Sequence, residues 1–345
     1  MSESKKPFRA PSTEFALAQD APWLTAPREQ VQRAIAAGRL SHALQIVGPS
    51  GLGTSALAEW IARAALCDRP EAAPCGTCAS CRLLEAGSHP DRLRIAVRED
   101  KQQVLIDDVR DLIESLGLKS QRGGRRVAIV DPADAMNVNG ANALLKTLEE
   151  PGAGALLILP LARAHRLPAT IASRCQRIEL AVPPAATGLA WLRDRGPEAD
   201  WEGLLAIVGG VPPDALALAE AGAAGLPREM AELPAYLRRP DADPIQLAER
   251  WAKHFPAARL LWIENWITER VRQGLAGAAP GHTTANPALP GAAGTRHIQG
   301  LYGLLDETRG AREALHGSAN VASLFERVLF GLAETLAEPR RARAG

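Results

Sequence analysis

Gly48-Pro49-Ser50-Gly51-Leu52-Gly53-Thr54-Ser55 is the stretch on which the fold turns. It follows a short apolar run, Ala43 to Val47, and opens a helix-forming stretch from Thr54 to about Cys67. A glycine-rich turn between a strand and a helix fits the phosphate-loop pattern G-x-x-x-x-G-K-[ST]. Every fixed position matches except the lysine, which is Thr54. In an active loop the backbone N–H groups cradle the phosphates, the lysine reaches the β and γ phosphates, and the following hydroxyl holds Mg²⁺. Thr54 is short and neutral and cannot supply that charge. Losing one such electrostatic donor typically costs a factor of about 100 to 1,000 in rate. A glycine-rich turn that holds no ligand would read the same way in isolation.

Working outward, Arg126 to Asp131 is a second apolar strand, ending in an acid where a Walker B aspartate would sit. The residue after it is Pro132, which has no acid–base function, where an ATPase would place a glutamate. A plain turn cap by Asp131 is the competing reading. Further short strands are expected at Arg92–Val97, Ala155–Leu159 and Arg177–Leu180. Helices are expected at Pro27–Arg39, at 104–117 with Ile106, Val109, Ile113 and Leu116 on one stripe, at 138–150 with Ala141, Leu144, Leu145 and Leu148 inward, and ending near Arg174. Short continuous apolar strands alternating with helices predict a parallel sheet covered on both faces.

After Pro183-Pro184 the pattern changes to helices alone, at 187–195, 201–208, 213–222, 244–254, 256–275, 297–315 and 318–337. The stretch 276–295 is rich in Ala, Gly, Pro and Thr and reads as a flexible loop. The basic tail after Pro339 reads as disordered. The expected organisation is an α/β domain over 1–182, a small helical domain over 183–228 and a helical C-terminal domain over 229–345.

Composition agrees with such a chain. At 345 residues, two or three domains are expected. Aromatic residues are 4% of the total, so the cores must be built mainly of Ala, Leu, Ile and Val. The 40 Lys and Arg nearly balance the 39 Asp and Glu, and the net charge of +1 excludes a globally basic nucleic-acid coat. No run of 18 apolar residues and no apolar signal segment is present, so a cytoplasmic protein with no membrane role is expected.

Four of the five cysteines, Cys67, Cys75, Cys78 and Cys81, follow the spacing C-x7-C-x2-C-x2-C. Four thiolates so close in sequence suit a tetrahedral Zn²⁺ site without an open position, hence a structural one. An iron–sulfur cluster or four free thiols are the other readings. The nearby charges, Arg63, Asp68, Arg69, Glu71, Arg82 and Glu85, are mixed and carry no interleaved aromatic, so DNA reading by this loop is weakly supported.

These features combine with Ser88-His89-Pro90-Asp91, with Asn142-Ala143-Leu144-Leu145-Lys146-Thr147-Leu148-Glu149-Glu150-Pro151 and with Ser173-Arg174-Cys175. Together they resemble the bacterial clamp-loader ATPases of the DNA polymerase III holoenzyme, over about residues 20–220. The resemblance implies a P-loop NTPase-like AAA+ α/β domain, an all-α lid and an all-α C-terminal collar that holds an oligomer together. It also implies motor (gamma/tau) and delta subunits as partners, with a sliding clamp and primed DNA reached through the complex.

Departures from the motor pattern cluster. The lysine is Thr54 and the Walker B glutamate is Pro132; the first sensor is replaced around Pro160-Leu161-Ala162, and no arginine stands near Pro212-Pro213, where the second sensor falls. The resemblance therefore implies a subunit that does not turn over ATP. Its nucleotide site of Gly48, Gly53, Thr54, Ser55 and Asp131 is degenerate, and it belongs to a DNA-directed DNA polymerase holoenzyme without catalysis of its own. Arg174 matches the family's arginine finger, which acts in trans on a neighbouring motor subunit and is worth roughly 1,000- to 100,000-fold in phosphoryl transfer. An ordinary ion pair at a helix end is the alternative role for Arg174. Two other functions stay open: an active ATPase with a divergent loop, and a zinc-containing DNA-binding protein. Lys146 and Glu150 read as an i,i+4 pair, Cys175 as a buried small residue, and His89 as a turn residue.

Overall fold

The computed structural model describes residues 17–98, 101, 103–276, 292–315, 317 and 319–336. The chain divides into two compact units between Thr187 and Gly188.

The first unit is built on five parallel strands: β1 Ala43–Val47, β2 Arg92–Ala96, β3 Arg126–Asp131, β4 Ala155–Leu161 and β5 Gln176–Glu179. They lie in the order β2-β3-β4-β1-β5. Every residue of β1, β3 and β4 is buried, as expected for strands covered on both faces. β2 and β5 form the edges and are less buried. Register pairs Ile46 with Pro160 and Val47 with Leu161, and Arg94 with Ile129. Pro160 lies beyond Ile158, the last β4 residue paired with β3, so its missing N–H does not interrupt that ladder.

Helices around this sheet include α1 Thr25–Ala36, α2 Thr54–Ala65, α3 Ala79–Glu85, α4 Ile106–Gly117, α5 Val138–Glu149 and α6 Ala169–Ala172. Alternate strand residues, among them Val130, Leu157 and Leu159, pack with Val109, Leu112 and Leu116 of α4 and Ala141, Leu144 and Leu148 of α5. Burying each such leucine contributes about 2 kcal/mol. α2 packs against β1, β3 and β4. The α4 stripe differs from expectation: Leu112 is buried, and Ile113 only partly so. Asn137 caps α5, its Oδ1 accepting from the Gly140 N–H at 2.8 Å.

The second unit is helical among its described residues. α7 Ala185–Arg195 runs across the division and is followed by α8 Trp201–Ile207, α9 Pro212–Glu220, α10 Leu226–Leu237 and α11 Pro244–Trp251. The longer α12 Pro256–Ala276, α13 Ala292–Ala314 and α14 Val321–Leu336 complete it. α10 is an addition to the sequence-based expectation, which found no helix between residues 222 and 244. It carries Pro227 in its first turn and Pro234 inside. A first-turn proline is tolerated because that N–H lacks an intrahelical partner anyway. Of the apolar residues along α12, Leu260, Ile263, Ile267 and Val271 are buried, while Leu261 and Trp266 are half-buried. Trp251 packs edge-on to Phe325 at 5.7 Å. The buried Arg259 lies over Trp251 at 4.7 Å and donates to Glu229 at 2.9 Å.

Residues 277–291 of the loop expected over 276–295 lie outside the described residues, as does the tail after Pro339; its flanks are helical, with α12 reaching Ala276 and α13 starting at Ala292. No single helix among the described residues is long and apolar enough to cross a membrane.

Candidate functional site

The glycine-rich loop leaves the C-terminal end of β1, beside the point where the sheet order turns back, the usual place for a ligand in a parallel sheet. Gly51 and Gly53 adopt φ values of +83° and +113°, a region open to glycine and strained for other residues. Gly53 precedes the first turn of α2. A Cβ on Gly48 would stand 2.8 Å from the Leu180 Cβ, so the loop needs glycine there to pack against the strand end. The segment before α1 covers part of the loop. The Trp23 indole donates to the Leu52 carbonyl at 2.9 Å, and a Cβ on Gly53 would meet Leu24 at 3.1 Å. Trp23 and Leu24 thus anchor this part of the chain.

Thr54 and Ser55 are half-buried at the start of α2. The Ser55 hydroxyl donates to Asp131 Oδ1 at 2.9 Å across 76 residues of sequence. The other carboxylate oxygen of Asp131 accepts from Arg94 of β2 at 2.7 Å, with both side chains about 8% exposed. Asp131 therefore engages groups from two other elements, Ser55 of α2 and Arg94 of β2. Arg94 is a residue the sequence reading passed over. Pro160 and Leu161 end β4, and Pro212 and Pro213 are buried at the start of α9, so the residues expected at the two sensor positions are apolar.

Cys67, Cys75, Cys78 and Cys81 come together, with their four sulfurs within 4.8 Å of one another. The Cys67–Cys78 and Cys75–Cys81 sulfur distances are each 3.9 Å. Sulfurs bound at ~2.3 Å to one tetrahedral Zn²⁺ would lie about 3.8 Å apart. Backbone N–H groups point at the sulfurs: Arg69 and Cys75 donate to Cys67 at 3.4 and 3.5 Å, Cys78 to Cys75 at 3.4 Å, and Cys81 to Cys78 at 3.3 Å. Such donors favour the thiolate, the form that binds a metal. Amide donation from Thr77 and Cys78 draws the Cys75 thiol down to about 6, while burial pushes Cys67 and Cys81 up. The residues present fit a four-coordinate metal. Cys175 stands apart, half-buried near β5, its thiol pushed by burial up to about 11.

A polar chain fastens this cysteine segment to the sheet. Asp68 accepts from Ser80, by hydroxyl at 2.6 Å and by N–H at 3.2 Å, and Arg122 donates to the Ser80 hydroxyl at 2.9 Å. Asp91, fully buried, accepts from Ser120 Oγ and Gln121 N at 2.9 Å and from Arg122 N at 3.1 Å, and pairs with Arg126 at 3.4 Å. Burial alone would raise the Asp91 pKa. The donors from Gln121, Ser120 and Arg122, with the Arg126 charge, outweigh it and hold the carboxyl below the usual range. His89 is a buried turn residue, its Nδ1 accepting from the Asp91 N–H at 3.2 Å, and burial lowers its pKa.

Arg174 follows α6 and is partly exposed. Its guanidinium donates to the Thr170 carbonyl at 2.9 Å and to Glu149 Oε1 at 2.6 Å. The pair expected between Lys146 and Glu150 does not form among the described residues; Glu149, turned toward α6, takes the ion pair instead.

A family model described as "DNA polymerase III, delta subunit" matches residues 25–184, a span that holds the loop, the cysteine cluster and Arg174. The chain is 40% identical over 231 residues to the DNA polymerase III subunit delta' of Pseudomonas aeruginosa, covering 66% of this chain and 70% of that protein. It is 34% identical over 256 residues to subunit delta' of Escherichia coli, covering 73% and 76%. The tau subunit of Escherichia coli is 33% identical over 144 residues, covering 41% of this chain and 22% of that one.

Proposed function

Starting from the fact that the chain belongs to the DNA polymerase III delta-prime subunit family, we propose that it acts in DNA replication as the non-hydrolysing subunit of a clamp loader. In that role it joins motor (gamma/tau) and delta subunits in the cytoplasm and helps place a sliding clamp on primed DNA. Residues 183–228 would form the lid and 229–345 the collar through which the subunits assemble.

The observation that carries this reading is a divided inventory. The loop keeps its glycines and Ser55, yet Thr54, Pro132, Pro160 and Pro213 stand where charge-handling and phosphate-sensing groups would be. Arg174 meanwhile stands at the surface, paired with one exposed carboxylate, Glu149. Arg174 is the group we assign to the neighbouring motor subunit's ATP. There its planar guanidinium would exchange the Glu149 carboxylate for phosphate oxygens, trading one charge-assisted contact for another, and would offset the negative charge that grows on the transferring phosphoryl group.

Zn²⁺ held by Cys67, Cys75, Cys78 and Cys81 would be structural, since four thiolates leave no coordination position for a substrate. It would stiffen the loop between α2 and α3, with no step of the reaction passing through it.

The test is reconstitution. The chain should co-purify with motor and delta subunits, show no ATP turnover alone, and support clamp loading in the complex. ATP turnover by the isolated chain that is abolished by Asp131→Asn would establish the divergent-ATPase reading instead.

A further inference from the structure

We propose that Arg94 takes the place of the divalent cation that a nucleotide would bring to Ser55 and Asp131, so that the loop excludes Mg²⁺ by carrying its own positive charge. This rests on reading the loop as a degenerate nucleotide site.

In an active phosphate loop two protein groups serve the metal, the hydroxyl that follows the lysine and the acid that ends the Walker B strand. Both are present here as Ser55 and Asp131, and they touch at 2.9 Å. That contact alone does not bar a metal, because the Ser55 oxygen keeps a lone pair free while its proton goes to Asp131. Arg94 is what changes the site. Its guanidinium sits 2.7 Å from the second Asp131 oxygen, in surroundings where both side chains are about 8% exposed. Asp131 is thereby neutralised from within the chain. A dication approaching the same carboxylate would meet a like charge in a poorly screened environment, where repulsion is far stronger than in water.

The placement is set by the sheet. Arg94 stands on β2, next to β3, two residues before the position paired with Asp131. Its strand companion Arg92 turns to a different buried acid, Glu59 of α2, at 2.6 Å. The two arginines of one edge strand thus each neutralise a specific buried acid, and only Arg94 does so at the loop.

The full-length chain, titrated with Mn²⁺ in the presence and absence of ADP and followed by electron paramagnetic resonance, tests this. Thiolates are poor ligands for Mn²⁺, so the cysteine cluster does not obscure the signal. The parent chain should show no Asp131-dependent Mn²⁺ binding, and its affinity for ADP should agree within about twofold with and without Mn²⁺. Arg94→Gln should admit Mn²⁺ at least about tenfold more tightly, and the double variant Arg94→Gln/Asp131→Asn should lose it again. Arg94→Lys, which keeps the charge, should exclude Mn²⁺ as the parent does. Asp131-dependent Mn²⁺ binding by the parent would overturn the inference, as would an Arg94→Gln chain that binds no more than the parent. The parent measurement stands even where Arg94→Gln fails to fold. Mn²⁺ binding without ATP turnover would sink this inference alone, whereas turnover by the parent would sink the functional reading beneath it.

Discussion

Arg174 and Glu149 form a 2.6 Å ion pair that ties the segment after α6 to the last residue of α5. Both side chains are substantially exposed, at 37% and 53%. Such a surface pair is worth about 0–1 kcal/mol. It positions the arginine without holding it fast. Glu149→Ala should therefore move the melting temperature by no more than a few degrees, as differential scanning calorimetry would show. A larger loss would mean that the pair is part of the fold's framework.

Arg174→Ala should leave assembly with motor subunits intact and remove roughly 1,000-fold or more of the hydrolysis rate at the site it faces. Steady-state ATP turnover of the assembled complex measures this. A variant complex that turns over at the parent rate would show that Arg174 serves only its own helix end.

Thr54→Lys should not produce an ATPase. The substitution supplies one charge, but Pro132 still offers no group to polarise water, and the positions expected for the sensors remain apolar. Phosphate release by the purified variant should stay at the buffer background, and robust turnover would refute the argument from combined losses.

The purified chain should carry about one zinc, measured by atomic absorption, and Cys81→Ser should lose it. Because the ligands must be deprotonated, the metal should also leave as the pH falls. Amide exchange after metal removal should quicken first between residues 67 and 91. A metal-free parent with unchanged exchange would exclude a structural metal there.

Asp91 links the cysteine segment to β3, and its carboxyl titrates below the usual range in the folded protein. Its contribution is complete above the unfolded-state value of about 3.9 and disappears as the pH falls through the lower folded value. Asp91→Asn should cost about 3 kcal/mol near neutrality by leaving Arg126 buried without a counter-charge. The variant should also show a shallower loss of stability in acid. Denaturant melts between about pH 3 and 7 would reveal equal slopes if Asp91 were passive.

Much of this was legible from sequence because local chemistry announced it. The continuous apolar runs of β1, β3 and β4 declared buried parallel strands, and the Cys75-x2-Cys78-x2-Cys81 spacing declared convergent sulfurs. What stayed hidden depends on pairs far apart in the chain. Arg92 and Arg94 alternate with Leu93 and Ile95, which looks like a solvated strand face. Their true partners, Glu59 and Asp131, lie 33 and 37 residues away and appear only when helix and strands are assembled. Glu149 was overlooked for Glu150 because spacing along α5 favoured the latter, whereas the turn after α6 selects the former. α10 stayed hidden because Pro227 and Pro234 interrupt its helical pattern, although the first occupies a position where proline is harmless.

Trp23 reaching over Leu52 and the left-handed Gly53 have a consequence for upkeep. The glycine-rich turn at the end of β1 keeps its contour through hydrocarbon and indole contacts that belong to the polypeptide itself. The loop is thereby braced from within the chain, whatever comes to occupy it.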